Sequence, residues 1–140
     1  MAIPFNSGYS GTPLIKKLGI KDGFIIRLIN QPAYYSGLFQ NLDNVTFSAD
    51  KKIKKDCIHF FSTNAKELHK NIPLLNKEIK QNGMIWVSWP KKSSKVATDI
   101  TEDVIRAIAL SNNLVDIKVC AIDETWSGLK LVIPLKARTL

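Results

Sequence analysis

Three apolar segments of strand length constrain the fold of this chain more than any other feature of its sequence. They are FIIRLIN at 24–30, DCIHFFS at 56–62 and MIWVSW at 84–89. FIIRLIN is a nearly unbroken apolar run, and such a run is typical of a strand that is covered on both faces of its sheet. We therefore expect FIIRLIN to be a central strand of a sheet that carries helices on both sides.

The segments before and after FIIRLIN contain helix signals. Thr12 and Pro13 suit the cap and the first position of a short helix, and Gly19 suits its end. Pro32 predicts the start of a second helix, because the apolar residues that follow it at positions 35, 38, 39 and 42 have helical spacing. This second helix should pack on the sheet directly after the first strand.

Two further helices are indicated by caps later in the chain. Asn64 with Glu67, and Asp99 with Glu102, have the spacing of capping boxes. Pro73 lies inside the first of these helices and predicts a kink or a break. The pair at 82–83, Asn-Gly, suits the end of that helix, and the pair at 112–113, Asn-Asn, suits the end of the next.

The remaining strands complete a mixed sheet. VTFSAD at 45–50 precedes DCIHFFS by only a few residues, whereas a parallel crossover ordinarily needs a dozen or more, so this strand should be short or at the sheet edge. VDIKVCAI and GLKLVIP bracket the loop DETWS and predict an antiparallel hairpin with alternating inward residues. The expected fold is a single three-layer α/β domain over residues 1–140, which suits a chain of this length with 45% hydrophobic residues.

The amino-acid composition indicates which classes of binding partner this protein can have. The net charge of +8 attracts anions, but 17 of the cations are lysines and only 3 are arginines. Arginine is preferred for planar recognition of phosphates and bases, so we do not expect specific nucleic-acid binding. Cys57 and Cys120 both lie in predicted strands and should be reduced, and their spacing gives no reason to expect a disulfide or a metal site. The first residues lack a secretion signal, and no apolar run is long enough to span a membrane, so we expect a cytoplasmic protein.

The segments YSGTPLIKKLGIK, MIWVSWPKKSSKVATDIT and VDIKVCAIDETWSGLK resemble a bacterial family of short proteins of unassigned role, the domain of unknown function 3052. The order of elements resembles, more broadly, the class I S-adenosylmethionine-dependent methyltransferases in a truncated, Rossmann-like form. The first resemblance implies no activity. The second implies a sheet whose last strand is inserted between its two predecessors, and a ligand site at the carboxyl ends of the strands.

The sequence departs from the methyltransferases at their cofactor loop. In that family the first strand runs into a glycine-rich turn, which lets the backbone approach S-adenosylmethionine. Here the turn is NQPAYYSG, with Asn30, Gln31, Pro32 and Ala33 in place of the glycines. The family's acidic ribose ligand corresponds to Asp50, although an aspartate at a strand end is usually a turn residue. The stretch 50–56 is also too short for the family's third strand and its helix, so we expect no bound cofactor.

The predicted ligand site follows from this topology. The loop after MIWVSW and the hairpin loop should meet at one edge, with the residues after the first strand nearby. Two tryptophans among charged side chains would then form an apolar slot for a flat or anionic small molecule. The alternative is that the tryptophans close the end of the core and the charges pair above it. The site residues are Trp89, Lys91, Lys92, Asp123, Glu124 and Trp126, with Asn30, Gln31 and Tyr34 beside them.

No catalytic group is assigned, because the sequence contains no nucleophile elbow, phosphate loop or zinc-binding helix motif. His59 lies mid-strand and His69 on a helix, and both fit structural roles better than a base or a ligand. The first functional hypothesis is a non-catalytic methyltransferase-like domain that binds a small anionic ligand or a protein partner. The alternatives are an enzyme of unknown reaction that uses the same crevice, and a basic nucleic-acid accessory protein.

Overall fold

The computed structural model describes residues 12–139, which form one six-stranded mixed sheet with helices on both faces. The start of the YSGTPLIKKLGIK segment lies outside the described residues. The strands are β1 Ile25–Ile29, β2 Thr46–Phe47, β3 Lys55–Phe61, β4 Ile79–Pro90, β5 Val115–Ala121 and β6 Trp126–Val132. The helices are α1 Leu14–Leu18, α2 Ala65–Asn76 and α3 Glu102–Ser111, with 3₁₀ turns at Tyr35–Leu38, Lys92–Ser94 and Leu135–Ala137.

The strand order across the sheet is β2-β1-β3-β4-β6-β5. The first four strands of this order pair in parallel, whereas β6 runs antiparallel to both β4 and β5. The last strand is therefore inserted between its two predecessors, and β4 and β5 run in the same direction. The structure confirms the predicted α/β fold with its terminal hairpin, and it confirms that the VTFSAD strand is short and at the edge.

Two apolar clusters sandwich the sheet. Helices α2 and α3 pack on one face, where Phe60, Val87 and Leu131 are completely or almost completely buried. Helix α1 packs on the other face, where Leu18 and Trp86 are fully buried and the indole nitrogen of Trp86 donates to the main-chain oxygen of Leu18 at 2.9 Å. We refer to these as the α2/α3 face and the α1 face. No helix within residues 12–139 is long and apolar enough to cross a membrane.

The expected helix after β1 is wrong, because the chain forms only the one-turn 3₁₀ segment Tyr35–Leu38. This segment has 3₁₀ hydrogen bonding, since the amide of Tyr35 donates to the main-chain oxygen of Pro32, three residues earlier, at 2.9 Å. Gly37 lies inside this segment, and glycine in a helix costs ~1 kcal/mol relative to alanine. Only Ile26 of β1 is fully buried, because the segment that covers this strand is short and the neighbouring strand has two residues. Ile29 packs on the α2/α3 face and Leu28 on the α1 face, so the predicted cover on both faces is present but partial.

The Asn82-Gly83 pair does not end α2, because β4 already begins at Ile79 and runs through it. The pairing of β3 with β4 shifts register at this point, from Lys55 opposite Ile79 to Cys57 opposite Met84. A Cβ atom on Gly83 would lie 2.9 Å from the main-chain oxygen of Lys55. Glycine is therefore needed for close backbone approach at a β-bulge, and sequence reasoning mistook a bulge signal for a helix end.

The caps were predicted with mixed success. The Asn64 side chain accepts from the amide of Glu67 at 3.1 Å and caps α2 as expected. α3 is capped by Thr101, whose hydroxyl accepts from the amide of Val104, and not by Asp99. The Asp99 carboxylate instead accepts from the amide of Ala65 at 2.7 Å, so it supports the start of α2 from another loop.

Other termini behave more simply. Pro13 occupies the N-cap position of α1, one place earlier than the first helical position predicted for it, so Thr12 is not the N-cap residue. Gly19 ends this helix in the left-handed region at φ 76°, as predicted. α2 continues as one helix through Pro73, so the predicted break into two short helices is wrong. α3 stops at Asn112-Asn113 as predicted, where Asn113 is left-handed at φ 60°.

Candidate functional site at the carboxyl edge of the sheet

The carboxyl ends of β1, β3, β4 and β5 lie at one edge of the sheet, because these strands run in the same direction. The loop after β4 meets the hairpin loop there. The amide of Lys91 donates to the main-chain oxygen of Thr125 at 2.8 Å. The structure thus brings together the two loops that carry most of the predicted site.

Asp123 organises the hairpin loop. It is only 4% exposed, and its Oδ1 accepts from the amides of Thr125 at 2.8 Å and Trp126 at 2.7 Å. Its Oδ2 accepts from the hydroxyl of Tyr34 at 2.7 Å. Burial, the hydrogen bond to Asp123 and the charge of that carboxylate raise the pKa of Tyr34 to about 12. Asp123 therefore ties the segment after β1 to the hairpin, and its oxygens already hold three donors.

The two tryptophans do not form one slot, which corrects the sequence prediction. Trp89 pairs with Ser127 across the sheet and Pro90 pairs with Trp126, so the two indoles point to opposite faces. Trp89 is 8% exposed and belongs to the core of the α2/α3 face. Trp126 is half-buried on the α1 face and packs edge-on against Phe61, with ring centroids 5.0 Å apart. Trp89 thus has the core role that was the stated alternative.

The predicted charges are more accessible than the indoles. Lys92 and Glu124 are exposed, and Lys91 is half-buried. Beside them lies Lys17 of α1, whose ammonium donates to the main-chain oxygen of Ala121 at 3.3 Å. Burial lowers the pKa of Lys17, and the positive charges of Lys118 and Lys91 lower it further, against an opposing effect of Cys120. Sequence reasoning missed Lys17, because nothing in the sequence places α1 beside the end of β5.

Asn30 closes the end of β1. It is left-handed at φ 57°, and its side-chain amide donates to the main-chain oxygen of Phe61 and to Glu67 Oε2, both at 3.3 Å. Glu67 Oε1 in turn accepts from the hydroxyl of Ser62 at 2.7 Å. These side chains connect the ends of β1 and β3 to the start of α2, directly where the strands diverge.

Gln31 lies apart from the hairpin and lines a separate cleft of about 460 Å³ beside β1 and β2. Leu28, Leu42 and Phe47 form apolar walls of this cleft, and Phe47 is 47% exposed. The cleft lies where the expected helix after β1 is replaced by a single turn. Asp50, the candidate ribose ligand, is exposed and accepts from the amide of Lys52 at 3.0 Å, which is the geometry of a turn residue.

A buried polar chain crosses the α1 face and was not predicted. The hydroxyl of Tyr35 and Nδ1 of His59 are 2.9 Å apart, and Nε2 of His59 and the hydroxyl of Ser88 are 2.7 Å apart. His59 is 1% exposed, so its expected place in the core is confirmed, and burial lowers its pKa to about 3. The imidazole is therefore neutral and sealed from solvent, whereas His69 is exposed on α2.

Cysteines and metal ligands contribute no site in the described part of the chain. Cys57 is buried and Cys120 partly buried, and both are free thiols. Burial raises the pKa of Cys57 to about 12, so it remains a protonated core residue. Between residues 12 and 139 no group of three histidine, cysteine or acidic side chains is placed to hold a metal ion.

This fold is that of the class I S-adenosylmethionine-dependent methyltransferases, as its structural neighbours show. A magnesium protoporphyrin IX methyltransferase from Synechocystis PCC 6803, solved with bound SAH, matches with a TM-score of 0.59 at 12% identity, over 86% of this chain and 79% of that one. A putative type 11 methyltransferase from Sulfolobus solfataricus gives 0.55 at 14% identity, over 91% and 93%. A putative methyltransferase from Thermoplasma acidophilum gives 0.52 at 8% identity, over 89% and 75%.

These identities establish the fold alone. No family model matches the chain, and no curated protein matches it by sequence. Membership of the domain of unknown function 3052 family therefore stays a prediction.

Proposed function

We propose that this protein is a cytoplasmic, methyltransferase-like domain that does not transfer methyl groups and binds a small anionic ligand at the carboxyl edge of its sheet. The observation that carries the proposal is that the ammonium of Lys17 lies at the main-chain oxygen of Ala121, where the charge of Lys91 acts on it, at the hairpin that also carries the half-buried Trp126. Two positive charges at a hairpin with a half-buried indole suit a ligand that has both negative charge and a flat apolar part.

The end of β1 supports the first half of the proposal. A cofactor held as in the methyltransferase family needs close backbone approach after the first strand. Here Asn30 extends its amide to Phe61 and Glu67, Pro32 has no N–H, and its carbonyl already accepts from Tyr35. The residues present therefore do not fit S-adenosylmethionine in that manner.

The chemistry of the carboxyl edge supports a binding role over catalysis. Asp123 holds three hydrogen-bond donors, and His59 and Ser88 are sealed in the core, so none of them is available to a substrate. The free thiols agree with a reducing compartment.

A thermal-shift series tests the proposal. S-adenosylmethionine, ATP, tripolyphosphate and inorganic phosphate are compared on the wild-type protein and on the double variant Lys91→Gln, Lys92→Gln. Ligand at a hundred times its dissociation constant adds ~2.7 kcal/mol of stability, so a phosphate-bearing compound should raise the melting temperature clearly. The double variant should lose that shift, whereas Lys77→Gln, an exposed change outside this edge, should keep it.

Two results would contradict the proposal. One is micromolar affinity for S-adenosylmethionine by isothermal titration. The other is a shift with an anionic compound that is unchanged in the Lys91→Gln, Lys92→Gln protein.

A further inference from the structure

Four lysines from α1, the turn after it and the terminal hairpin lie together on the α1 face. Lys118 of β5 donates from its ammonium to the main-chain oxygen of Lys17 at 2.8 Å. Lys118 and Lys130 are directly paired across β5 and β6, so both side chains point to this face. A Cβ atom on Gly19 would lie 3.5 Å from the ammonium of Lys130, so that ammonium lies against the end of α1. With Lys21, whose charge acts on Lys130, we call these residues the lysine surface.

The positive charges of the lysine surface act on one another. Burial lowers the pKa of Lys130, and the positive charges of Lys118 and Lys21 lower it further. None of the ion pairs formed between residues 12 and 139 includes any of these three lysines. Residues 1–11 contain no aspartate or glutamate. The ammonium groups therefore repel one another, and a bound polyanion would relieve that repulsion.

The shape of the surface favours a linear polyanion over a single phosphate. The ammonium of Lys17 lies at the main-chain oxygen of Ala121, that of Lys118 at the main-chain oxygen of Lys17, and that of Lys130 against Gly19 at the end of α1. The charges are therefore distributed along α1 and not gathered around one point. One strand of duplex DNA carries a charge every ~3.4 Å of helix axis, so a nucleic-acid backbone can meet more than one of these ammonium groups.

From this arrangement we propose that the lysine surface binds the sugar-phosphate backbone of nucleic acid without reading its sequence. Lysine neutralises phosphate as a point charge and has no planar fork to recognise base edges. The net charge of +8 favours the encounter at long range. This surface excludes Lys91 and Lys92 and shares Lys17 with the proposed small-ligand site, so changes at Lys118 and Lys130 test it without altering Lys17, Lys91 or Lys92.

The test compares two double variants with equal loss of charge. Lys118→Gln, Lys130→Gln removes charge from the lysine surface, whereas Lys66→Gln, Lys70→Gln removes it from exposed positions on α2, on the opposite face. Fluorescence anisotropy with labelled duplex DNA, single-stranded DNA and RNA of mixed sequence is measured over a range of salt concentrations. Poly-glutamate of matched charge serves as a non-nucleic polyanion, and thermal unfolding verifies that each variant is folded.

Wild-type affinity should fall steeply with salt, with a slope that measures the number of phosphate contacts. For duplex DNA, the Lys118→Gln, Lys130→Gln protein should lose ~0.9 from that slope for each lysine that contacts a phosphate, and the α2 variant should keep the wild-type slope. Equal slopes in the two variants, or no binding to any nucleic acid at low salt, would overturn the proposal. A base-sequence preference that survives moderate salt, or equally tight binding of poly-glutamate, would also overturn it.

Discussion

Acidification should destabilise this protein through His59 before its carboxylates titrate. The imidazole is 1% exposed, and burial lowers its pKa from the ordinary value of 6.5 to about 3. Between pH 6.5 and about pH 3, His59 is therefore protonated in the unfolded chain but stays neutral in the folded chain. The free energy of unfolding decreases as pH falls through this range. The stability that the neutral, buried imidazole contributes is fully present above about pH 6.5 and is lost progressively toward pH 3.

The size of the effect follows from the proton binding of the unfolded histidine. Between about pH 7 and about pH 5 the free energy of unfolding should fall by about 2 kcal/mol, because the folded pKa lies well below this range. In urea denaturation this corresponds to a midpoint lower by roughly 1 M, at an m-value of about 2 kcal/mol/M. Aspartate and glutamate have ordinary pKa values near 4, so most of their titration lies below this interval.

Two variants assign the effect to one residue. His59→Gln should remove most of the pH dependence between these limits, while His69→Gln should retain it because His69 is exposed. A free energy of unfolding that is flat in the wild-type protein over this range would refute the reasoning. A slope that survives in a cooperatively folding His59→Gln protein would refute it as well.

Two stability predictions follow from close contacts at the start of β4. Gly83→Ala should cost ~1–3 kcal/mol by urea denaturation, since the new Cβ would lie 2.9 Å from the main-chain oxygen of Lys55, whereas Gly37→Ala, with open space around it, should change stability by less than ~0.5 kcal/mol. Equal effects would show that the bulge tolerates a side chain. Glu78→Ala should cost ~3–5 kcal/mol, because it removes the carboxylate 2.7 Å from the fully buried ammonium of Lys55 and leaves that charge with the main-chain oxygen of Asp50 alone as a named acceptor. Lys80→Ala breaks a more exposed pair with Asp56 and should cost clearly less in the same assay, so similar losses would contradict the burial argument.

The sequence predicts the strands well where side-chain pattern alone determines the element. DCIHFFS folds as a buried strand and the terminal hairpin forms as expected, but the alternating inward residues predicted for the hairpin are wrong in β5, where Ile117 and Val119 are more than half exposed. Local signals fail where tertiary contacts decide between two uses of the same residues. Asn82-Gly83 suits a helix end and a bulge equally well, and only the approach of the Lys55 backbone selects the bulge.

The candidate site was predictable in location but not in composition. The order of strands places the loop after β4 beside the hairpin loop, and Lys91 does contact Thr125. Which side of the sheet each indole occupies depends on strand register, and a shift of one residue reverses it. Trp89 and Trp126 therefore lie on opposite faces because of the strand register, which the order of elements along the sequence does not determine. Lys17 reaches the candidate site because α1 packs beside the end of β5, and the order of elements does not determine that packing.

Strand β1 should open more readily than the central strand β4, and this bears on where a ligand can bind. In place of a covering helix, polar contacts hold β1: Asp56 accepts from the amide of Ile25 at 2.7 Å, Arg27 pairs with Glu78 at 2.7 Å, and Asn30 donates to Phe61.

Strand β4, by contrast, is buried from Gly83 through Pro90 and paired on both sides. Local stability follows buried apolar contacts, so amides of Ile25–Ile29 should exchange with deuterium faster than those of residues 85–89 in native-state hydrogen exchange. Comparable protection would show that the polar contacts replace the missing helix fully. Faster exchange in β1 would place the rigid part of the carboxyl edge at β4 and the hairpin, where Lys91 and Trp126 lie, because a preorganised site needs supports that do not move.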